Sequence, residues 1–331
     1  MINDLERGVP ILTRRSTFGG VPMVAVGDVE PGMVVVLGID GRLEQVSRNS
    51  CSPQESIRLS GVPIIEMIRG AGVMVDVDDS RVLEWPSELG LVDLGDLTAV
   101  TFGNNEDYIS SIMNVFSKIV ESGATPVVLA SEIGSTGPAF WGFVQSLGKS
   151  GCKPGIISIS SNLDAIFPRD YRKDMTTGHD VVDAIENKLV DPSAVVVVGV
   201  NGLQDYTQWK KARDSGVNIL TGRIIKENGV KSTIYRTLDL LQEKADCLFV
   251  SIDIGAVDIG HAPGQGVVQI GGFDADEFLS LCRYLSKSPV KAVCLHGLVP
   301  ELDLSGRSSA LAAYSIIELI APKTFQNIHS L

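Results

Sequence analysis

Seven short runs rich in valine and isoleucine, separated mostly by stretches with helical periodicity, constrain this chain more than any other feature. The runs are LTAVTF (97–102), TPVVLAS (125–131), GIISIS (155–160), AVVVVGV (194–200), NILTG (218–222), CLFVSIDI (247–254) and VKAVCLHG (290–297). Between most of them lie amphipathic segments, at 106–123, 139–151, 179–189, 232–246 and 274–288. Near-continuous β-branched runs are what strands buried on both faces look like, and helices between them require parallel crossovers. The pattern predicts an α/β fold: a doubly wound, mainly parallel sheet with helices on both faces. MVVVLGI (33–39) reads as a further strand of the same sheet. No linker rich in Ser, Gly or Pro breaks the alternation, so residues 1–331 are expected to form one domain.

The charge balance narrows the partners. With 40 Asp and Glu against 28 Lys and Arg, the formal net charge is −12. An acidic surface repels phosphate backbones and anionic membranes, so neither nucleic acid nor membrane is an expected partner. No apolar run has the length of a membrane span. The first residues, MINDLERG, place acids ahead of any apolar stretch, unlike a secretory signal, and the expected location is cytoplasmic. The five cysteines are scattered without the two-residue spacing of metal or redox motifs, consistent with reduced thiols.

In this fold class, ligands sit beyond the carboxyl ends of the strands. Those ends carry Glu132 with Gly134-Ser135-Thr136, then Ser160, Asn162 and Asp164, then Asp253, Gly255 and Asp258, and finally His296. Plainer roles compete for most of them. Asp164 and Asp258 suit turns or helix caps, and Ser135 or Thr136 would cap the following helix as readily as it would hold an anion. Asp253 differs, because a carboxylate in an apolar strand needs a partner or an open site. Cys294 and His296, two apart on one strand, would face the same side, so a nucleophile–base pair competes with two core residues.

The motifs themselves resemble a known family. TPVVLASEIGSTGP (125–138), ISISSNLD (157–164) and VSIDIGAVDIGHAPGQGVVQIGGF (250–273) resemble the Gly-Gly-Asp-His-Ser, Asp-Ala-His-x-Asp and Ser-x-Asp-x-Asp-x-x-Asp-Pro segments of the ureohydrolases. These are the arginases, agmatinases and formiminoglutamases. SCSPQESIRLSG, LVDLGDL and VPELDLSGRSSALAAYSIIELI resemble three more elements of that superfamily, in the right order. The resemblance implies an arginase-like fold. For an active member it also implies two manganese ions held by six carboxylate and imidazole ligands, which activate a hydroxide for attack on a guanidino or formimino carbon.

Position by position, this chain departs from that set. Carried over from the resemblance, one histidine ligand falls on Ile133 and the other on Asn162, while two aspartates fall on Ser160 and Gly255. Asp164 and Asp253 keep their carboxylates. The substrate-side histidine falls near Thr177, with His179 two residues on, and the substrate-binding glutamate falls near Gly297. Glu132, Ile133, Ser160, Asn162, Asp164, Thr177, Asp253, Gly255 and Gly297 therefore read as a vestigial pocket with no metal, no cofactor and no catalytic residue. The expectation is a catalytically silent, structural or regulatory homo-oligomer, trimeric or hexameric by resemblance. Its company would be a small-molecule ligand or a regulatory protein partner. The alternative is a residual hydrolase of linear amidines with one metal on Asp164, Asp253 and Glu132.

Overall fold

In the computed structural model, the β-branched runs become strands buried on both faces. It describes residues 16–41, 51–77, 81–84, 90–99, 102, 104–148, 150–168, 179–267, 270–320 and 325–327. Along the chain the elements are β1 (Val34–Asp40), α1 (Pro53–Ala71), β2 (Val73–Asp76), β3 (Arg81–Glu84), β4 (Leu91–Thr98), α2 (Asn105–Glu121), β5 (Thr125–Ala130) and α3 (Thr136–Leu147). There follow β6 (Pro154–Ile159), α4 (Val181–Glu186), β7 (Val195–Val200), α5 (Tyr206–Ser215), β8 (Asn218–Thr221), α6 (Gly222–Asn228) and α7 (Val230–Leu241). The last are β9 (Cys247–Asp253), α8 (Ala275–Leu285), β10 (Val290–His296), α9 (Arg307–Ile320) and β11 (Phe325–Asn327).

Eight strands form one sheet in the order β4-β1-β5-β10-β9-β6-β7-β8. Every neighbouring pair is parallel. All residues of β1, β4, β7 and β9 are buried, as strands covered by helices on both sides must be. The helices pack in two groups, α1 with α9, α8 and α7 in one and α2 with α3 and α4 in the other. This is the predicted α/β architecture. A small antiparallel sheet, β11-β3-β2, was not foreseen. Among the described residues, no helix is long and apolar enough to cross a membrane.

One strand lies elsewhere than its pattern suggested. The edge strand β4 is Leu91–Thr98, beginning six residues before the run expected from Leu97 to Phe102. Two buried aspartates, Asp93 and Asp96, hide its apolar signature. Both pair with Arg58, itself fully buried on α1. Arg58 Nε and Nη2 donate to the two oxygens of Asp93 at 2.8 and 2.9 Å, and Nη1 donates to Asp96. Helix α1 also escaped the periodicity reading, with Pro63 inside it, although its start is well marked. Ser52 accepts from Glu55 N and Pro53 occupies the first turn.

The strand order matters most for function. β5, β10, β9 and β6 are consecutive in the sheet, and all four run parallel. Their carboxyl ends therefore bring loops from residues near 132, 162, 254 and 297 to one place.

Candidate functional site

A cavity of about 350 Å³ opens at those four strand ends. Its lining residues include Glu132, Asp164, Asp180, Asp253 and His296. Ile133, Asn162, Gly255 and Gly297 also line it. Ser160 lies directly beneath, hydrogen-bonded to one of the lining carboxylates. The expected pocket residues that the structure describes thus come together. Thr177 lies outside the described residues.

From β5, Ser131 binds back to β1 through its backbone N–H to Ile39 O at 2.9 Å. The chain then turns through a 3-10 segment, Ile133–Ser135, straight into α3. Neither Ser135 nor Thr136 caps that helix through its side chain, contrary to the plainer reading. Thr136 Oγ1 instead packs 4.0 Å from the Cys294 sulfur. Burial first, and then the Asp40 and Glu132 carboxylates, push the Tyr108 phenol far above its ordinary range. The field at this end of the sheet is negative.

From β6 and β9 comes the centre of the site. Ser160 Oγ donates to Asp253 Oδ2 at 3.0 Å, and Gly255 N donates to Asp253 Oδ1 at 2.8 Å. Both carboxylate oxygens of this buried aspartate therefore have donors. Asn162 closes a turn by accepting from Asp164 N at 2.9 Å. Asp164 Oδ1 accepts from Gln208 Nε2 at 2.8 Å, and the same amide group donates to Phe167 O at 2.7 Å. Asp164 is thus not a helix cap. Asp258 does take a structural role, with its carboxylate accepting from Gly260 N and Gly271 N. Those two bonds hold its carboxyl below the usual range.

From β10, His296 is almost fully buried. Its Nε2 lies 3.1 Å from Ser251 Oγ, and its Nδ1 is 3.9 Å from Asp253 Oδ1. It does not pair with Cys294, whose thiol burial pushes up to about 12. Of the two sequence readings, the geometry supports a core residue for Cys294, whereas His296, buried though it is, lines the cavity. Gly297 has φ of +87°, and a Cβ there would collide with Asp253 Oδ1. His179 stacks edge-on against Trp141, with centroids 4.9 Å apart, and does not line the cavity.

Sequence reasoning missed two glutamines. Gln208 sits on α5, one turn after the Asp205 cap, and nothing in its segment signals a partner for Asp164. Gln265 is 2% exposed and lines the cavity. Its Nε2 donates to Val257 O and Ala262 O, while the buried Oε1 has no hydrogen-bond partner among the described residues.

Residues 64–321 match the arginase family, most of the chain. The chain belongs to the arginase family. Among arginase-family relatives, formimidoylglutamase of Bacillus subtilis is 26% identical over 147 residues, 44% of this chain and 46% of that protein. Human mitochondrial guanidino acid hydrolase is 24% identical over 234 residues, 70% of this chain and 64% of its own length. These two matches thus span less than two thirds of either relative. The solved structure of proclavaminate amidinohydrolase from Streptomyces clavuligerus superposes with a TM-score of 0.71 at 22% identity, covering 94% of this chain and 98% of that one. This last likeness establishes the fold.

The arginase-family resemblance implies a pair of manganese ions, and the donors here do not fit them. Manganese favours hard carboxylates and imidazoles in a convergent set. At the positions to which the resemblance assigns four of the ligands this chain has Ile133, Ser160, Asn162 and Gly255. Asp253 is engaged by Ser160 and Gly255, and Asp164 by Gln208. Among the described residues, no three or more His, Cys, Asp or Glu side chains converge as a metal site.

Proposed function

We propose that this arginase-family chain is a catalytically silent, single-domain homologue. It forms a cytoplasmic homo-oligomer, a trimer or hexamer, and binds a small ligand or a regulatory protein partner without a manganese cluster or cofactor. Glu132, Ile133, Ser160, Asn162, Asp164, Asp253, Gly255 and Gly297 form its vestigial pocket. The observation that carries this reading is the bond from Ser160 to Asp253. A hydroxyl at the position of a lost aspartate supplies a donor to the surviving carboxylate, which a second carboxylate would repel. The arrangement satisfies Asp253 in the absence of a cation. The cavity persists, with Glu132, Asp164, Asp180, Asp253 and Gln265 among its lining residues, which supports binding in place of hydrolysis.

The test is elemental analysis of protein dialysed against excess manganese and desalted, run beside assays for urea and formamide release from guanidino and formimino substrates. The expected result is less than about a tenth of a metal ion per chain and no release. Stoichiometric metal with turnover would overturn the reading in favour of a residual amidine hydrolase.

A further inference from the structure

Two cysteines meet at the end of the sheet opposite the cavity. Cys247 opens β9, and Cys152 lies two residues before β6. β6 and β9 are parallel neighbours with Pro154 opposite Cys247. Their junction is pinned by Lys153, whose carbonyl accepts from Asp246 N at 2.9 Å and Cys247 N at 3.3 Å. Lys153 N donates in turn to Asp246 Oδ2 at 2.9 Å. Side chains two apart on an extended segment share a face, so Cys152 and Pro154 project to the side of Cys247. The thiols interact there: burial first, and then the Cys152 thiol, push the Cys247 thiol up to about 11, while Lys291 opposes the shift. Cys152 is half-buried, whereas Cys247 is buried.

We propose that Cys152 and Cys247 are a dithiol that a low-molecular-weight disulfide converts to an intramolecular disulfide, a reversible modification site joining the entry of β6 to the start of β9. In the first step the Cys152 thiolate attacks one sulfur of the small disulfide and expels one small thiolate. In the second, Cys247 gives its proton to solvent and its thiolate attacks the Cys152 sulfur, expelling the other small thiol. The protein pair loses two electrons and two protons, and the small disulfide is reduced to two thiols. Because the Cys247 thiol holds its proton tightly, the second step quickens as pH rises through the alkaline range. The disulfide lies far from the cavity walls, so this inference stands or falls separately from the proposed function.

The experiment treats the full chain with oxidised glutathione at mildly alkaline pH, then measures intact mass, free thiols after unfolding, and the linked peptides. Two of the five thiols are expected to disappear with no glutathione retained, and the peptides carrying Cys152 and Cys247 to be joined. Dithiothreitol should restore the starting mass. Cys247→Ser should trap glutathione on Cys152, and Cys152→Ser should leave Cys247 reduced. A stable glutathione adduct on Cys152 in the unmodified sequence, or a pair that stays reduced throughout, would overturn the proposal.

Discussion

Ser160 on the loop after β6 donates its hydroxyl proton to Asp253 at the end of β9, across 3.0 Å. The bond gives a buried carboxylate a neutral donor, and its loss has a calculable effect. Ser160→Ala leaves one oxygen of a buried carboxylate without its donor, which costs about 2 kcal/mol. Urea unfolding should show a lower midpoint with an unchanged slope. A neutral outcome would mean that water or another side chain serves Asp253.

Restoring the ligands should restore the metal. Ser160→Asp, Asn162→His and Gly255→Asp together place two carboxylates and an imidazole beside Asp164 and Asp253. A Cβ at Gly255 would stand 3.0 Å from Asp253 Oδ1, so the added carboxylate shares that aspartate's surroundings. The triple variant should be less stable than the parent without metal and should gain thermal stability on adding manganese. A folded variant that binds no manganese by elemental analysis would show that the positional correspondence is wrong. Hydrolysis is not expected, since Ile133 and Gly297 remain.

Gly297 resists substitution. At φ of +87° a side chain is strained, and a Cβ would also meet Asp253 Oδ1. Gly297→Ala should lose at least about 2 kcal/mol, from left-handed backbone strain together with that collision. An alanine variant as stable as the parent by thermal unfolding would contradict the geometry.

Arg58 is the most consequential single ion for folding. It is fully buried between Asp93 and Asp96. Arg58→Met removes the cation and leaves two buried carboxylates, a loss of about 3–5 kcal/mol. Arg58→Lys should recover only part, because an ammonium cannot match the forked contact with Asp93. Comparing the denaturation midpoints of the three proteins checks both statements.

Asp303 gives a pH signature. Burial alone would raise its carboxyl, but hydrogen bonds from Ser309 and Ser308 outweigh it and hold the group below the ordinary range. Ser309 donates through N and Oγ at 2.8 and 2.7 Å, and Ser308 through N at 3.1 Å. A folded value below the unfolded one, about 4, means the stabilisation is present above that pH and fades as pH falls through the folded value. Asp303→Asn should therefore be less stable at neutral pH, with the gap narrowing below about pH 4. A gap constant with pH, measured by urea unfolding, would mean that the side chain acts only through its shape.

The sequence by itself determined the sheet and most of its strands. Runs such as Val195–Val200 and Cys247–Asp253 carry their burial in their composition, because a strand covered on both faces has nowhere to place polar side chains. It also pointed, through the family resemblance, to Ile133, Asn162 and Gly255, which the structure places around one cavity. Edge strand β4 was misplaced because its two aspartates find their partner, Arg58, 35 and 38 residues away. The tertiary structure alone decided that β5, β10, β9 and β6 lie side by side, that Gln208 reaches Asp164, and that His296 turns to Ser251 rather than to Cys294. Hydrophobic periodicity is a local property of the chain, whereas strand order and the partners of buried polar groups depend on which distant segments meet.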